Sequence, residues 1–193
     1  MATNEERRTA TRAAILAAAR ESFVREGYDR THTSTILERA SISRGALYHH
    51  FPSKEAVFEA VYIAVVEETV GEAGRHNAHN DSPLEALLAA CLAWLKLVSK
   101  TNIAEILLIQ GPQVLGWKRA RDIEAVSSLP PMQQLLQQAH DLGEIDTPSV
   151  RVTALLINAL LAETALIAAF GKPRASSAVL EAQVRQFIDG LRV

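Results

Sequence analysis

An all-α fold is predicted by three features of this 193-residue sequence. Apolar residues recur at three- and four-residue spacing, helix start and stop signals punctuate the chain, and no strand-like alternation or hairpin turn interrupts the pattern. With 48% hydrophobic and 22% charged residues, the composition fits a packed fold rather than disorder. The length allows one domain, or one plus a small appendage. There are no repeats and no low-complexity tracts.

A first helix is predicted from about Thr9 to Glu26, with Ile15, Leu16, Ala19 and Phe23 inward and Gly27 as its stop. Two short helices follow. Thr33 or Ser34 can cap the first, whose inner residues are Ile36 and Ala40, and Ser41-Ile42 makes the bend. Ser43 caps the second, anchored from beneath by Leu47 and Phe51, and Pro52 ends it. A long helix then runs from about Lys54 to Gly71 or beyond, burying Val57, Phe58, Val61 and Val65. Gly71 to Asp81 reads as a polar connection.

Ser82-Pro83-Leu84-Glu85 is a capping box with Pro at the first helical position. It opens a helix with Leu84, Leu87, Leu88, Cys91, Leu92, Leu95 and Val98 on one side. Asn102 to Ile109 reads as a short helix stopped by Gly111-Pro112, and Val114 to His140 as a segment broken at Ser127-Ser128-Leu129-Pro130-Pro131. Thr147-Pro148 precedes a long apolar helix, Ser149 to Phe170, closed by Gly171-Lys172-Pro173. A last helix covers about Ser176 to Leu191, giving roughly nine or ten in all.

The second short helix carries the functional signal. With Leu47 and Phe51 inward, Arg44, Gly45, Ala46, Tyr48, His49 and His50 point away from the anchor. A plain surface helix would carry Glu and Lys, the better helix formers, whereas a guanidinium, donors and small residues suit a DNA major groove. The charge distribution agrees. Residues 1–54 hold nine Arg and Lys against six Asp and Glu, a balance of +3, while the whole chain carries −2.

The order Ser43-Arg-Gly-Ala-Leu-Tyr-His-His-Phe-Pro-Ser-Lys-Glu55 closely resembles the helix-turn-helix of TetR-type bacterial transcriptional regulators. The likeness is good over about residues 10 to 62 and lies in helix layout beyond. The run Leu107 to Arg119 also looks like a segment of one group of those regulators. Ser41 departs from the pattern, standing where that family usually has Gly, so it must adopt whatever turn conformation Gly eases.

The resemblance implies residues 1–53 as a DNA-binding domain and 54–193 as a helical effector-binding and dimerisation domain. It implies a repressor that a small-molecule effector releases from a palindromic operator. Homodimerisation is expected through the last two long helices. By chemistry, Arg44 suits guanine, the Ala46 methyl a thymine methyl, and Gly45 close backbone approach. Thr33, Ser43, Tyr48, His49 and Lys54 suit phosphates, His50 suits either a phosphate or bracing the helix, and Arg7, Arg8 and Arg12 either add backbone or minor-groove contacts or fray into solvent. Expected cavity residues are Cys91, Trp94, Leu107, Trp117, Met132, Asn158 and Glu163, the last two being unusual in so apolar a helix.

Other classes find little support. No phosphate-cradling Gly-rich loop, His-Glu-x-x-His pair or nucleophile elbow occurs, so no catalytic residue or cofactor is assigned and no enzyme is expected. Glu72, His76 and His79 have metal-compatible spacing but sit in a polar stretch, and no metal site is assigned. One cysteine fits a reducing cytoplasm. Met1 to Thr11 lacks the apolar core of a secretory signal. Val152 to Phe170 has the length of a membrane span, but Asn158 and Glu163 favour burial in a bundle or subunit interface, so no membrane partner is expected.

Overall fold

The computed structural model describes residues 3–76, 82–172 and 175–193. Among them lie ten α-helices, one π-helical turn and no strand, only an isolated bridge between Ile145 and Arg192. The chain packs as two compact units, Met1–Val65 with Glu105–Ala120, and Val66–Ala104 with Arg121–Val193. Neither unit is continuous in sequence, so the packing does not follow a division at residue 54.

In the first unit, α1 (Asn4–Glu26) begins earlier than the apolar stripe implies. Thr3 and Glu6 form a reciprocal capping box, Glu6 N donating to Thr3 Oγ1 at 3.2 Å and Thr3 N to Glu6 Oε2 at 2.7 Å. Ile15, Ala19 and Phe23 are fully buried, and Gly27 ends the helix at φ 78°. In α2 (Thr33–Ala40) the N-cap is His32, not Thr33 or Ser34, and its side chain makes no capping bond. Ser41 adopts the left-handed conformation, φ 53°, at the bend where the related pattern carries Gly. Its own N–H donates to Glu38 O, and Ile42 N–H to Leu37 O. Then α3 (Arg44–His50) starts at Ser43, whose Oγ accepts from Ala46 N at 3.2 Å.

The next helix, α4 (Lys54–Gly74), belongs to the first unit as far as Val65 and to the second from Val66. Its residues Val57, Phe58, Val61, Tyr62 and Val65 are buried. Phe58 meets Phe23 and Tyr28 edge-on, with ring centroids 5.2 and 5.3 Å apart. The helix also takes in Gly71 to Gly74, which the sequence reading gave to a polar connection. Residues 77–81 lie outside the described residues.

The first unit is completed from far along the chain. After α5 (Pro83–Val98) and α6 (Thr101–Ala104), a π-helical turn, Glu105–Gln110, leads into α7 (Gly111–Leu115). Here Gly111-Pro112 starts a helix instead of stopping one, because Pro needs no amide donor in a first turn. Gln110 is buried, and its Nε2 donates to Phe23 O, the carbonyl that also accepts from Gly27 N. Gln110 Oε1 is buried without a hydrogen-bond partner. Gly111 lies flat against the buried Tyr62 ring, and Tyr62 Oη donates to Leu107 O at 3.5 Å.

In the second unit, Ser82 caps α5 by accepting from Glu85 N at 3.2 Å. Glu144 acts as a second cap, taking hydrogen bonds from Ser82 Oγ at 2.8 Å and Leu84 N at 3.2 Å. Glu85 itself pairs with Arg192. The helix α8 (Trp117–Asp141) runs unbroken through Pro130 and Pro131. Proline's fixed φ is helical and only the amide bonds are forfeited. Burial of Ile123, Met132, Leu136 and Ala139 along the same helix offsets that loss.

Ser149 caps α9 (Val150–Phe170), which packs against α5, α6 and α10 (Ser177–Asp189). Mean hydropathy along α9 reaches 1.9, enough by composition for a membrane span, with a third of that window buried. Its inner side is Ala154, Ile157, Leu161, Ala165 and Ala169, while Val152, Leu156 and Ile167 remain exposed.

A methyl group at residue 111 would overlap the Tyr62 ring. Gly111→Ala should therefore lower unfolding free energy by about 1–3 kcal/mol through overpacking. Chemical denaturation checks this, and a Gly111→Ala/Tyr62→Leu double variant should lose less than the sum of the two singles.

Candidate nucleic-acid interface and interior cavity

The α2–α3 pair is held from below by three buried side chains, Ile36, Leu47 and Phe51. Arg39 ties α2 to α1 through Glu21, at 2.7 Å, and Glu26, at 3.1 Å. Hydrogen bonding from Arg25, then the charge of Arg39, holds the Glu21 carboxyl below its ordinary pKa. With its lower side fixed, α3 presents Arg44, Gly45, Tyr48 and His49 to solvent, and Ala46 and His50 half-buried. Tyr48 is 41% exposed, a high value for so large an aromatic side chain. The Arg44 guanidinium lies 5.4 Å from the centre of the Tyr48 ring, one helical turn away. That stacking limits the rotamers of the side chain best suited to guanine. Ser43 is exposed and Thr33 half-buried.

His49 and His50 meet edge-on with centroids 5.6 Å apart. The His50 pKa is lowered by partial burial first, then by the charges of His49, Arg8 and Arg12. Arg12 also lies over the Phe51 ring at 5.3 Å. The start of α1 thus borders the end of α3, and two of the three early arginines join one basic rim.

Lys54 is engaged within the fold itself. Its Nζ donates to Tyr28 O at 2.9 Å and Thr31 O at 3.1 Å and sits 4.1 Å from the Tyr28 ring centre. The ammonium closes the turn between α1 and α2, with at most one proton left for a phosphate. Spacing after the Pro52 break could not reveal this, because the bonds reach back more than twenty residues.

The second unit contains a cavity of about 90 Å³ between the end of α4, α5, α8 and α9. Cys91, Trp94, Met132 and Asn158 line it, together with Val70, Ala73 and Gly74 of α4, Leu87 and Ala90 of α5, and Ser128, Pro131 and Leu135 of α8. Ala73 and Gly74 of α4 fall in a stretch that reads in sequence as a connection, and Ser128 and Pro131 of α8 in one that reads as a helix break. Among the described residues, no group of three His, Cys, Asp or Glu side chains could hold a metal ion. His79 lies outside the described residues.

Three expected cavity residues lie elsewhere. Leu107 is buried in the first unit, where the π turn directs its carbonyl to Tyr62. Trp117, at the start of α8, is 68% exposed. Glu163 is exposed in line with Leu156 and Ile167, on the side of α9 away from the cavity. Cys91 is sealed, and burial pushes its thiol pKa up to about 12. It therefore stays protonated and poorly nucleophilic at neutral pH.

A family model described as bacterial regulatory proteins, tetR family, matches residues 15–61. Another, described as tetracyclin repressor-like, C-terminal domain, matches residues 84–191. The HTH-type transcriptional regulator UidR of Escherichia coli strain K12 is 29% identical over 161 residues, covering 78% of this chain and 76% of its own. An HTH-type transcriptional repressor of Mycobacterium tuberculosis is 28% identical over 178 residues, covering 92% and 93%. The crystal structure of a TetR-family transcriptional regulator from Pectobacterium atrosepticum superposes with a TM-score of 0.81 at 28% identity, covering 100% of this chain and 98% of that one.

Replacing Lys54 by Met keeps the stem and removes the ammonium. It should destabilise the fold by about 1–3 kcal/mol, as expected for charged hydrogen bonds to carbonyls. Denaturant melts of the free protein check this, and an unchanged midpoint would return Lys54 to a purely DNA-facing role.

Proposed function

The chain belongs to the TetR family of bacterial transcriptional regulators, and we propose that it is a cytoplasmic homodimeric repressor released from a palindromic operator by a small molecule held in the cavity. DNA-binding regulation is the shared activity of its relatives, which are regulators and not enzymes. The observation that carries the reading is the exposed outer side of α3. There a polar, small-residue surface stands on two buried anchors, Leu47 and Phe51, with Arg44 pre-oriented over Tyr48.

In this reading Arg44 reads guanine by its paired donors, and Gly45 and Ala46 let the helix backbone approach the base edges. Thr33, Ser43, Tyr48, His49 and His50 hold phosphates, as do Arg8 and Arg12 on the adjoining rim. Two such helices, about 34–36 Å apart in a two-fold dimer, would enter successive major grooves on one side of the duplex. The dimer forms through α9 and α10. Val152, Leu156 and Ile167 on α9, and Val179 and Phe187 on α10, leave a run of exposed apolar surface that a second subunit covers. Ala159 in the same row permits close helix approach.

The cavity and the recognition unit share one covalent element. Helix α4 starts with Lys54 beside the α1–α2 turn and ends with Val70, Ala73 and Gly74 in the cavity wall. An effector that binds better to the non-operator conformation shifts α4 and with it the spacing of the recognition helices. A preference of about 1–3 kcal/mol between the two conformations is typical of such coupling.

Arg44→Ala should cost about 1–3 kcal/mol on a matched operator and relax sequence preference, with little change on scrambled DNA. Fluorescence anisotropy across a salt series checks this, and equal losses on both DNAs would remove Arg44 from base readout. Leu156→Lys should shift the protein to monomer in sedimentation velocity and weaken operator binding, while leaving the monomer helical by circular dichroism. A variant that remains dimeric would move the interface away from α9.

A further inference from the structure

We infer that the cavity selects an uncharged ligand of about one ring in size, bearing a single hydrogen-bonding group that pairs with Asn158. This rests on the effector reading above and specifies its chemistry. Among the described residues that line the cavity, none is charged, and most are aliphatic or aromatic. The carboxylate expected there from sequence, Glu163, lies exposed on the outer side of α9. An ion entering this space would lose its hydration without gaining a counter-charge. Charge therefore works against occupancy by any group held inside these walls.

The polar groups present set the rest of the chemistry. The Asn158 amide both donates and accepts, so it can meet a hydroxyl, carbonyl or amide. The Ser128 hydroxyl already donates to Glu124 O at 2.9 Å and has only acceptor capacity to offer. Trp94 adds an aromatic face and a single N–H donor. Cys91 contributes a neutral thiol, since burial keeps it protonated.

Size follows from the volume. A void of about 150 Å³ walled by apolar side chains takes up benzene. The space here, about 90 Å³, is smaller. Met132 and Leu135 border it, and a rotamer change at the unbranched thioether would enlarge it toward ring size. Long acyl chains or fused rings would need helices to part.

Three molecules of equal skeleton test the inference: benzyl alcohol, benzoate and benzylammonium. A Trp117→Phe background removes the exposed indole and leaves Trp94 as the sole reporter of the cavity. Titration should give a saturable change in Trp94 emission with benzyl alcohol, and half-saturation at least tenfold higher for either ion. Asn158→Leu should weaken benzyl alcohol binding about threefold to tenfold, as loss of one hydrogen bond does. Ala90→Phe, verified as folded by its melting transition, should abolish the response. Benzoate or benzylammonium binding as tightly as the alcohol would overturn the inference, as would the absence of a saturable signal with all three. Operator retardation run in parallel keeps the two readings separate. Saturation of Trp94 with no change in operator affinity supports the ligand class and overturns the effector role instead.

Discussion

One long helix and two short ones, α1 to α3, enclose too little apolar surface to hold themselves together, and that shortage shapes the first unit. Its solution is to recruit Glu105–Ala120 from the second half of the sequence. The contact is specific. Tyr62 is buried against Gly111, where no side chain larger than hydrogen fits, and the Gln110 amide reaches the last turn of α1 through Phe23 O. This packing supports α1, against which α2 packs, and α2 in turn packs against the recognition helix. A change in the π turn or α7 is therefore a change within the unit that carries α3, despite lying far from it in the chain.

In the proposed mechanism the link between cavity and recognition unit is a single helix of 21 residues. At 1.5 Å per residue α4 extends about 30 Å. Its first side chain is bonded to the Tyr28 and Thr31 carbonyls, and three residues of its last two turns wall the cavity. Such an element moves largely as a body, because bending it would break internal hydrogen bonds. Within the π turn, Gln110 Oε1 is the one buried side-chain polar atom among the described residues left without a hydrogen bond, while Nε2 of the same amide holds Phe23 O.

Much of this was legible in the residues. Helix order, the α3 anchors and the outward set from Arg44 to His50 all follow from spacing and capping chemistry, which act locally. Ser41 was legible as a residue under a turn constraint that Gly would ease, though not the conformation itself, which is left-handed. What escaped were interactions over long sequence distances. Lys54 turned back to carbonyls behind it, Glu144 capped a helix sixty residues earlier, and Gly111-Pro112 served packing in place of termination. Pro130-Pro131 misled for a related reason: a tertiary environment held α8 together where local signals alone would break it. For the cavity, Cys91, Trp94, Met132 and Asn158 converge, whereas Leu107, Trp117 and Glu163 went to a carbonyl contact, solvent and the outer side of α9.

The sealed state of Cys91 has a practical corollary. It is the sole sulfhydryl in the chain and lies 3% accessible in the interior. A cysteine introduced on an exposed surface, for example at Ser53, would become the unique site for maleimide or nitroxide attachment, without first stripping the native one. In the proposed homodimer each subunit would then carry one label, and double electron–electron resonance would gauge the gap between the paired labels in solution, with and without DNA.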